Sequence, residues 1–246
     1  IASDDVVIEG TVEYAHDGTD PEGFKENAKL IIPSGYELKA PEGYEWADYE
    51  AGKQILKADT SVAKIGDVKY ETLAEAVAAV EDNTTATIEL LADADGSGIF
   101  LAANKGKNIT IDFGGKTYTI TSGPVGSTGY ETQGLHLEKG NTVTLKNGKL
   151  TSSADSGVKM LVQKYCALTL EDMELDGTKL SGNETHYVLS NNNGITTLTG
   201  TTKITAAEGD VAFDVYYWPN GGYPSVTVEI ASDDVVIEGT VEYAHD

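Results

Sequence analysis

The clearest metal-binding pattern in the chain is Asp93-Ala94-Asp95-Gly96-Ser97-Gly98. It offers side-chain oxygens at alternate positions and then a glycine, as in the first half of an EF-hand calcium loop. The position at which a bidentate glutamate should close the cage is Asn104, and no pair of flanking helices is indicated. The pattern favours a plain turn, with weak calcium binding by Asp93, Asp95 and Ser97 as the alternative. We expect no other cofactor.

Three carboxylates fall at comparable positions of related segments: Asp112, Glu171 and Asp172. Glycoside hydrolases need two such groups facing one groove. The chain has 40 Asp and Glu, however, so acids scattered over a solvated face are the expected explanation. The histidines show no metal-ligand spacing, and no GxSxG motif occurs. We therefore expect no catalytic site.

The densest aromatic cluster is Tyr216, Tyr217, Trp218 and Tyr223, in a loop rich in Pro and Gly. Sugar rings stack on such side chains, so the cluster is a candidate glycan platform. The alternative is that these rings are buried where modules meet, since Tyr and Trp are enriched at interfaces. We favour the interface, with Tyr44, Trp46 and Tyr49 as possible packing partners.

Charge and hydropathy exclude two classes of partner. The net charge is −23, and all 17 cations are lysines. Nucleic acids and anionic lipids would repel such a chain. No apolar run reaches the ~20 residues of a membrane span, so we expect no membrane insertion. Cys166 is the only cysteine, and its apolar neighbours predict a small buried side chain without a disulfide.

The first seventeen residues, Ile1 to Asp17, recur without a mismatch as Ile230 to Asp246. A perfect copy at a fixed spacing is typical of tandem arrays, in which each unit contacts its neighbours. We therefore expect a window from such an array, with partners that are other copies of the same unit. The apolar residues of the two segments are the predicted inter-unit contacts: Val6, Val7, Ile8, Val12, Tyr14, Val235, Val236, Ile237, Val241 and Tyr243.

A single helix is predicted over 72–81. Thr72 and Glu75 have the spacing of a capping box, and Leu73, Ala76, Val77 and Val80 would share one face. After this helix almost every segment predicts a short strand. This helix precedes the first strand and is placed to cover one end of a stack.

The strands share an apolar-Thr-apolar outline that returns after 23 to 34 residues, too long for an antiparallel sandwich and suited to a parallel β-helix. The residues expected to lie above one another are Ile88, Ile111, Leu145, Leu170, Leu198 and Val228. Gly114-Gly115 and Asn147-Gly148 are expected at the corners, where left-handed backbone angles are needed. An open stack has exposed edges at its ends, and the duplicated segment is the candidate for covering the far one.

The chain thus divides into three parts. Residues 1–17 are predicted to be a terminal rung like 230–246, residues 18–60 an inter-module joint, and residues 61–246 the parallel β-helix. The joint is marked by Pro21, Pro33 and Pro41, but its aromatic content indicates a small folded β-rich module rather than a flexible linker.

Several stretches of the chain resemble a known family. VAKIGDVKYETLAEAVAAV followed by ATIELLADADG is similar to the opening of pectin-lyase-like right-handed β-helix modules, found in large surface proteins of Gram-positive bacteria. NITIDFGGKTYTI, NTVTLKNGKL and ALTLEDMEL resemble their rungs, and LIIPSGYELKAPEGYEW resembles their joints. The resemblance implies an all-β fold, a right-handed parallel β-helix with a short capping helix and a small joint, and an extracellular cell-surface location.

From these observations we expect a structural repeat unit of an extracellular fibre, stalk or adhesin, joined head to tail with its neighbours. The alternatives are a glycan-binding adhesive domain that contacts a host surface and, less favoured, a polysaccharide-degrading β-helix enzyme.

Overall fold

The computed structural model describes residues 29–41, 43–181 and 184–243. The chain separates into two compact units, with the boundary between Thr60 and Ser61. The predicted terminal rung 1–17 lies outside the described residues. In the smaller unit, strands β1 (Ile31–Pro33), β2 (Tyr44–Glu50) and β3 (Lys53–Ala58) form an antiparallel sheet in the order β1-β3-β2.

This small sheet has its own core. Ile32 and Leu56 are buried, and the indole Nε1 of Trp46 donates a hydrogen bond to the Leu38 carbonyl at 2.6 Å. Gly52 turns the chain between β2 and β3 with a φ of 75°, an angle that favours glycine. The expected small folded β-rich module is confirmed for the described residues of this segment.

The larger unit begins with strands β4 (Ala63–Ile65) and β5 (Val68–Tyr70) and helix α1 (Leu73–Ala79). The Glu75 amide donates to Thr72 Oγ1 and the Thr72 amide to Glu75 Oε2, each at 3.1 Å. This is the predicted capping box. The inward face of the helix is buried, and it joins the core of the first coil through Leu73, Ala76, Val77 and Val80. Within the described residues, no helix is long and apolar enough to cross a membrane.

The rest of the chain winds in successive coils. In chain order the strands are β6 (Thr85–Leu90), β7 (Ala94–Ser97), β8 (Ile99–Leu101), β9 (Asn108–Asp112), β10 (Thr117–Ser122), β11 (Gln133–Leu137), β12 (Thr142–Ser152), β13 (Met160–Lys164), β14 (Ala167–Asp176), β15 (Tyr187–Asn191), β16 (Gly194–Thr199), β17 (Lys203–Thr205), β18 (Val211–Val215), β19 (Val226–Ile230), β20 (Val236–Glu238) and β21 (Thr240–Tyr243).

These strands stack in parallel to form three walls. The first wall has the order β6-β9-β12-β14-β16-β19, and the third has β8-β11-β13-β15-β18-β21. The second wall contains β7, β10, the later halves of β12 and β14, β17 and β20. The all-β parallel β-helix is confirmed.

The predicted stack of apolar residues is also confirmed, apart from its last member. Ile88 pairs with Ile111, and Leu145, Leu170 and Leu198 follow in successive coils. Leu198 pairs with Ile230, whereas Val228 pairs with Thr196. The expected register was therefore wrong by two residues in the last coil. A shift of two keeps the same face of a strand, so the apolar pattern alone does not reveal it.

The corner between the first and second walls uses residues with positive φ. Asn147 has a φ of 59° and Asp172, one coil later, a φ of 52°; Asn and Asp tolerate this region better than other side chains. Gly114 and Gly115 also have positive φ, as expected. Gly148 does not have a positive φ. A glycine is needed there for steric reasons, since a Cβ at this position would lie 2.3 Å from Phe113 Cβ.

Candidate functional site

The second copy of the duplicated sequence, which begins at Ile230, forms the greater part of the last rung of the solenoid. Strand β19 pairs with β16, β20 with β17 and β21 with β18, all in parallel. The Val236 amide donates to the Thr202 carbonyl at 3.0 Å, and the Ala206 amide to the Glu238 carbonyl at 2.8 Å. Val235 and Ile237 pack against the main core. Residues 230–243 are thus an integral turn of the ladder.

Two acidic side chains attach this rung to the coils before it. Glu238 Oε2 lies 2.9 Å from Lys203 Nζ and accepts a hydrogen bond from Thr205 Oγ1 at 3.2 Å. The hydrogen bond from Lys203 is the main cause that lowers the pKa of Glu238. Glu242 accepts from the Tyr187 hydroxyl at 3.3 Å. The last rung is therefore held on its outer face by charge as well as by its backbone ladder.

The outer edge of the last rung is apolar and open. Ile230 is 54% exposed and Tyr243 78%, and Val236 and Val241 are also exposed. No strand of the described residues pairs with the outer edge of β19, β20 or β21. The sequence predicted that the duplicated segment covers this end. The segment does form the predicted terminal rung, but among the described residues no strand covers the outer edge of that rung.

A groove of about 1110 Å³ lies between this rung and the loop after β18. The loop contributes Tyr216, Tyr217 and Trp218, and the rung contributes the apolar side chains that face them, namely Val226, Val228, Ile230, Val241 and Tyr243. This groove contains three of the predicted glycan-platform residues and two of the predicted inter-unit residues. Val6, Val7, Ile8, Val12 and Tyr14, the first-copy members of that inter-unit set, lie outside the described residues.

Tyr223, the fourth platform residue, lies apart from the other three. Its ring packs on Tyr165 with centroids 4.9 Å apart, and Lys139 Nζ lies 4.5 Å from its centroid. Its hydroxyl donates to Glu138 Oε2 at 2.8 Å. Burial, followed by the Glu138 carboxylate, raises the pKa of Tyr223 to about 12. The single four-ring platform is therefore not formed, because Tyr223 anchors the loop to the outside of the third wall.

A second groove, of about 1080 Å³, runs along the outer face of the third wall. Its aromatic lining includes Tyr130, 75% exposed, and Trp218, 41% exposed. Tyr165, Tyr187 and Gln163 lie on the strands and turns beneath. Sequence reasoning missed Tyr130 and Tyr187, because they are far apart in the chain and share only a place on the same outer face, on coils separated by the coil of β13.

Of the three candidate catalytic carboxylates, Asp112 and Asp172 have structural roles. Lys146 stands between Asp112 and Glu171 in the ladder, and its Nζ lies 3.4 Å from Asp112. Burial opposes ionisation of Asp112, but hydrogen bonds from Asn147 and Gly114 outweigh it and lower the pKa. Hydrogen bonds from Thr201 lower the pKa of Asp172. A general acid needs the opposite shift, so Asp112 and Asp172 are not suited to that role.

The calcium-like segment is a strand. Ala94–Ser97 form β7, which pairs with β10, so the loop that both interpretations required is absent. The Asp93 carboxylate accepts a hydrogen bond from the Thr117 amide at 2.8 Å. A Cβ at Gly96 would lie 2.2 Å from the Tyr118 hydroxyl oxygen, so this glycine makes room for a buried ring. Among the described residues, no group of three or more His, Cys, Asp and Glu is placed to hold a metal.

One buried cation was not predicted. Lys164, at the end of β13, is fully buried, and its Nζ donates to the Asn193 carbonyl at 2.7 Å. Burial lowers the pKa of Lys164 to about 8. Cys166 nearby is buried, as expected, and burial raises the pKa of its thiol to about 12. Lys164 thus holds the backbone of the next coil.

Comparison of the chain with protein-family models, with curated proteins and with solved structures finds no match.

Proposed function

We propose that this chain is a structural tandem-repeat unit of an extracellular fibre, stalk or adhesin on a bacterial surface, joined end to end with neighbouring units. The observation that carries the proposal is the open apolar rung at the end of the solenoid, whose residues from Ile230 onward recur without change at residues 1–17. A stack with one capped and one open end is suited to linear joining.

The order of segments identifies what would cover the open rung. Residues 1–17, identical to the rung sequence, are followed directly by the joint in 18–60. The same order after residues 230–246 would bring the joint of the next unit to the rung. Val241 and Tyr243, with the groove beside them, would then be buried by that neighbour.

The mechanical role follows from the bonding. Each wall is a continuous series of backbone hydrogen bonds along the solenoid axis, and inward residues such as Leu145 and Leu170 are fully buried between coils. Such a body resists bending. The net charge of −23 makes units that are not joined end to end repel one another sideways, which favours extended, soluble arrays. The surface location rests on the resemblance noted from the sequence.

Electron microscopy of a chain that contains several 229-residue periods tests this proposal. We expect units at even spacing with a preferred angle between neighbours. The matched control replaces residues 29–60 of each internal joint with a Gly-Ser linker of equal length, which should broaden the angles. Freely varying angles in both chains would overturn the proposal.

A specific observation also favours the second candidate, a glycan-binding adhesive domain. Tyr130 and Trp218 are exposed and line one groove on the third wall, above Gln163. Aromatic rings with nearby polar groups are suited to sugar binding. A glycan array with the wild-type chain and Trp218→Ala tests it, with Tyr243→Ala as the matched exposed-ring control. Binding lost only in Trp218→Ala supports this function, and no binding by the wild type rejects it.

A further inference from the structure

The chain carries the sequence of β20 and β21, the second and third walls of its last rung, twice. Residues 236–243 lie on the coil formed by β17 and β18, and the same eight residues occur as 7–14. Contacts that depend on the side chains of the last rung are therefore available to residues 1–17 of a second copy. That segment has two possible positions on a neighbour: beyond the last rung, or in place of it.

The position beyond the last rung is disfavoured by charge. In-register stacking would set Glu9 beside Glu238 and Glu13 beside Glu242. Like charges directly opposite one another on neighbouring strands are destabilising. Further acids at 4, 5, 233 and 234 would add to this repulsion.

The position in place of the last rung has complementary partners. Lys203 and Thr205 contact Glu238, and Tyr187 contacts Glu242, so Glu9 and Glu13 would receive the same donors. The space available at this position also fits the first segment. A Cβ at Gly239 would lie 2.7 Å from Ala206 Cβ, and the matching residue of the first segment is again a glycine, Gly10.

We infer that residues 1–17 of one copy exchange into the place of residues 230–246 of another, giving a strand-swapped head-to-tail contact. This inference rests on the proposed function, in which copies join end to end. The contacts broken and formed are the same, so exchange costs little in contact energy. The resident segment is favoured by its tether, and exchange therefore depends on high local concentration or a loosened rung.

Disulfide trapping in the full-length chain tests the inference. The acceptor carries Thr205→Cys together with Ile237→Asp, which places a charge where Ile237 packs on the core and releases the resident rung. It also carries Ile8→Asp, so that its own first segment cannot fill the gap. The donor carries Glu9→Cys. Because Thr205 pairs with Glu238, the two new thiols would be opposite one another at a spacing that a disulfide allows.

The expected result is a covalent dimer of one donor and one acceptor. The matched control donor carries Glu9→Cys with Ile8→Asp, and its yield should fall at least tenfold. Cys166 is buried and need not be replaced. Equal yields from the two donors would overturn the inference, as would no dimer from an acceptor whose circular dichroism shows a folded solenoid.

Two further arms keep the test decisive. If Ile237→Asp unfolds the acceptor, Thr205→Cys alone is mixed with the donor, and the dimer yield should rise with protein concentration; a zero yield at all concentrations overturns the inference. A donor that links to Glu238→Cys in preference to Thr205→Cys stacks beyond the rung, which also overturns it. Failure here leaves the even spacing of a multi-period chain unchanged, so the two proposals fail separately.

Discussion

Lys203 and Glu238 tie the last rung of the solenoid to the coil before it, with 2.9 Å between Nζ and Oε2. The two residues lie on β17 and β20, two residues out of direct register, because Glu238 is directly opposite Thr205. Their side chains are partly exposed, so the pair acts at the surface and leaves the core unaffected. The rung that carries the duplicated sequence is thus retained partly by a contact that one substitution removes.

Reversal of this charge should loosen the rung locally. In Lys203→Glu, repulsion from Glu238 should make the amides of residues 236–243 exchange hydrogen several-fold faster. Lys203→Glu combined with Glu238→Lys should restore slow exchange. The control is Lys105→Glu, which breaks a similar exposed pair with Asp82 and should leave 236–243 unchanged. Equal exchange in all variants would show that the pair does not hold the rung.

Substitution of Gly148, at the corner of β12, should destabilise the fold for steric reasons. In Gly148→Ala the new methyl group would meet Phe113 Cβ and the Lys116 carbonyl, and overpacking of this kind costs about 1–3 kcal/mol. In Gly115→Ala nothing lies within 4 Å, so only the left-handed backbone is strained, at about 1–2 kcal/mol. Urea unfolding measures both free energies. A smaller loss for Gly148→Ala than for Gly115→Ala would contradict the packing at this corner.

The buried Lys164 should make stability depend on pH. Its pKa is lowered to about 8 in the folded state and is near 10.5 when unfolded. Between these values the unfolded chain holds a proton that the folded chain has lost, so stability rises with pH. Relative to Lys164→Met, the free energy of unfolding of the wild type should therefore increase by about 3 kcal/mol as the pH rises from the folded to the unfolded pKa of Lys164.

The comparison with Lys164→Met also removes other titrations from the measurement. Because burial raises the pKa of the Cys166 thiol to about 12 while the Lys164 charge opposes that shift, both chains of the comparison carry Cys166→Ala. Urea unfolding at pH 7.5 and at intervals above it gives the difference directly. A constant difference over the window would mean that Lys164 titrates normally.

Removal of the Tyr223 hydroxyl should free the aromatic loop. A hydrogen bond from His136 first, and one from Tyr223, lower the pKa of Glu138 against the effect of burial. In Tyr223→Phe this pKa should rise, and amides of residues 216–224 should exchange faster. Because a lowered carboxylate pKa stabilises the fold above the unfolded value and is lost as pH falls, the variant should also lose less stability on acidification.

An NMR titration of the Glu138 side chain measures the first effect, and hydrogen exchange the second. Tyr217→Phe serves as the control, since Tyr217 is largely exposed. An unchanged Glu138 pKa in Tyr223→Phe would contradict the described anchor.

Much of the fold could be predicted from local signals. The capping box of Thr72 and Glu75 fixes the start of α1, and the apolar residues from Ile88 to Leu198 recur because each coil returns to the same wall. Asn147 was predictable at a corner, since few side chains accept its backbone angle. These features depend on short stretches of chain, and a sequence displays them directly.

What could not be predicted depends on contacts between distant residues. Val228 and Ile230 fit the same face, so only the pairing partner separates them. Gly96 contributes to the resemblance to a calcium loop, but a glycine is needed there because the ring of Tyr118, from another coil, leaves no room for a Cβ. Trp218 and Tyr130 line one groove only because the loop after β18 and the loop before β11 reach the same wall. Local sequence patterns carry no information on contacts between residues of different coils.

Hydrogen exchange at the last rung, measured with and without a following unit, tests most directly whether units join at the open rung. A chain extended by a second copy of residues 18–246 should protect the amides of residues 236–243 of its first unit more strongly than the single unit does, because the neighbour covers Val241 and Tyr243. Equal exchange at these amides in both chains would contradict the claim that units join at the open rung.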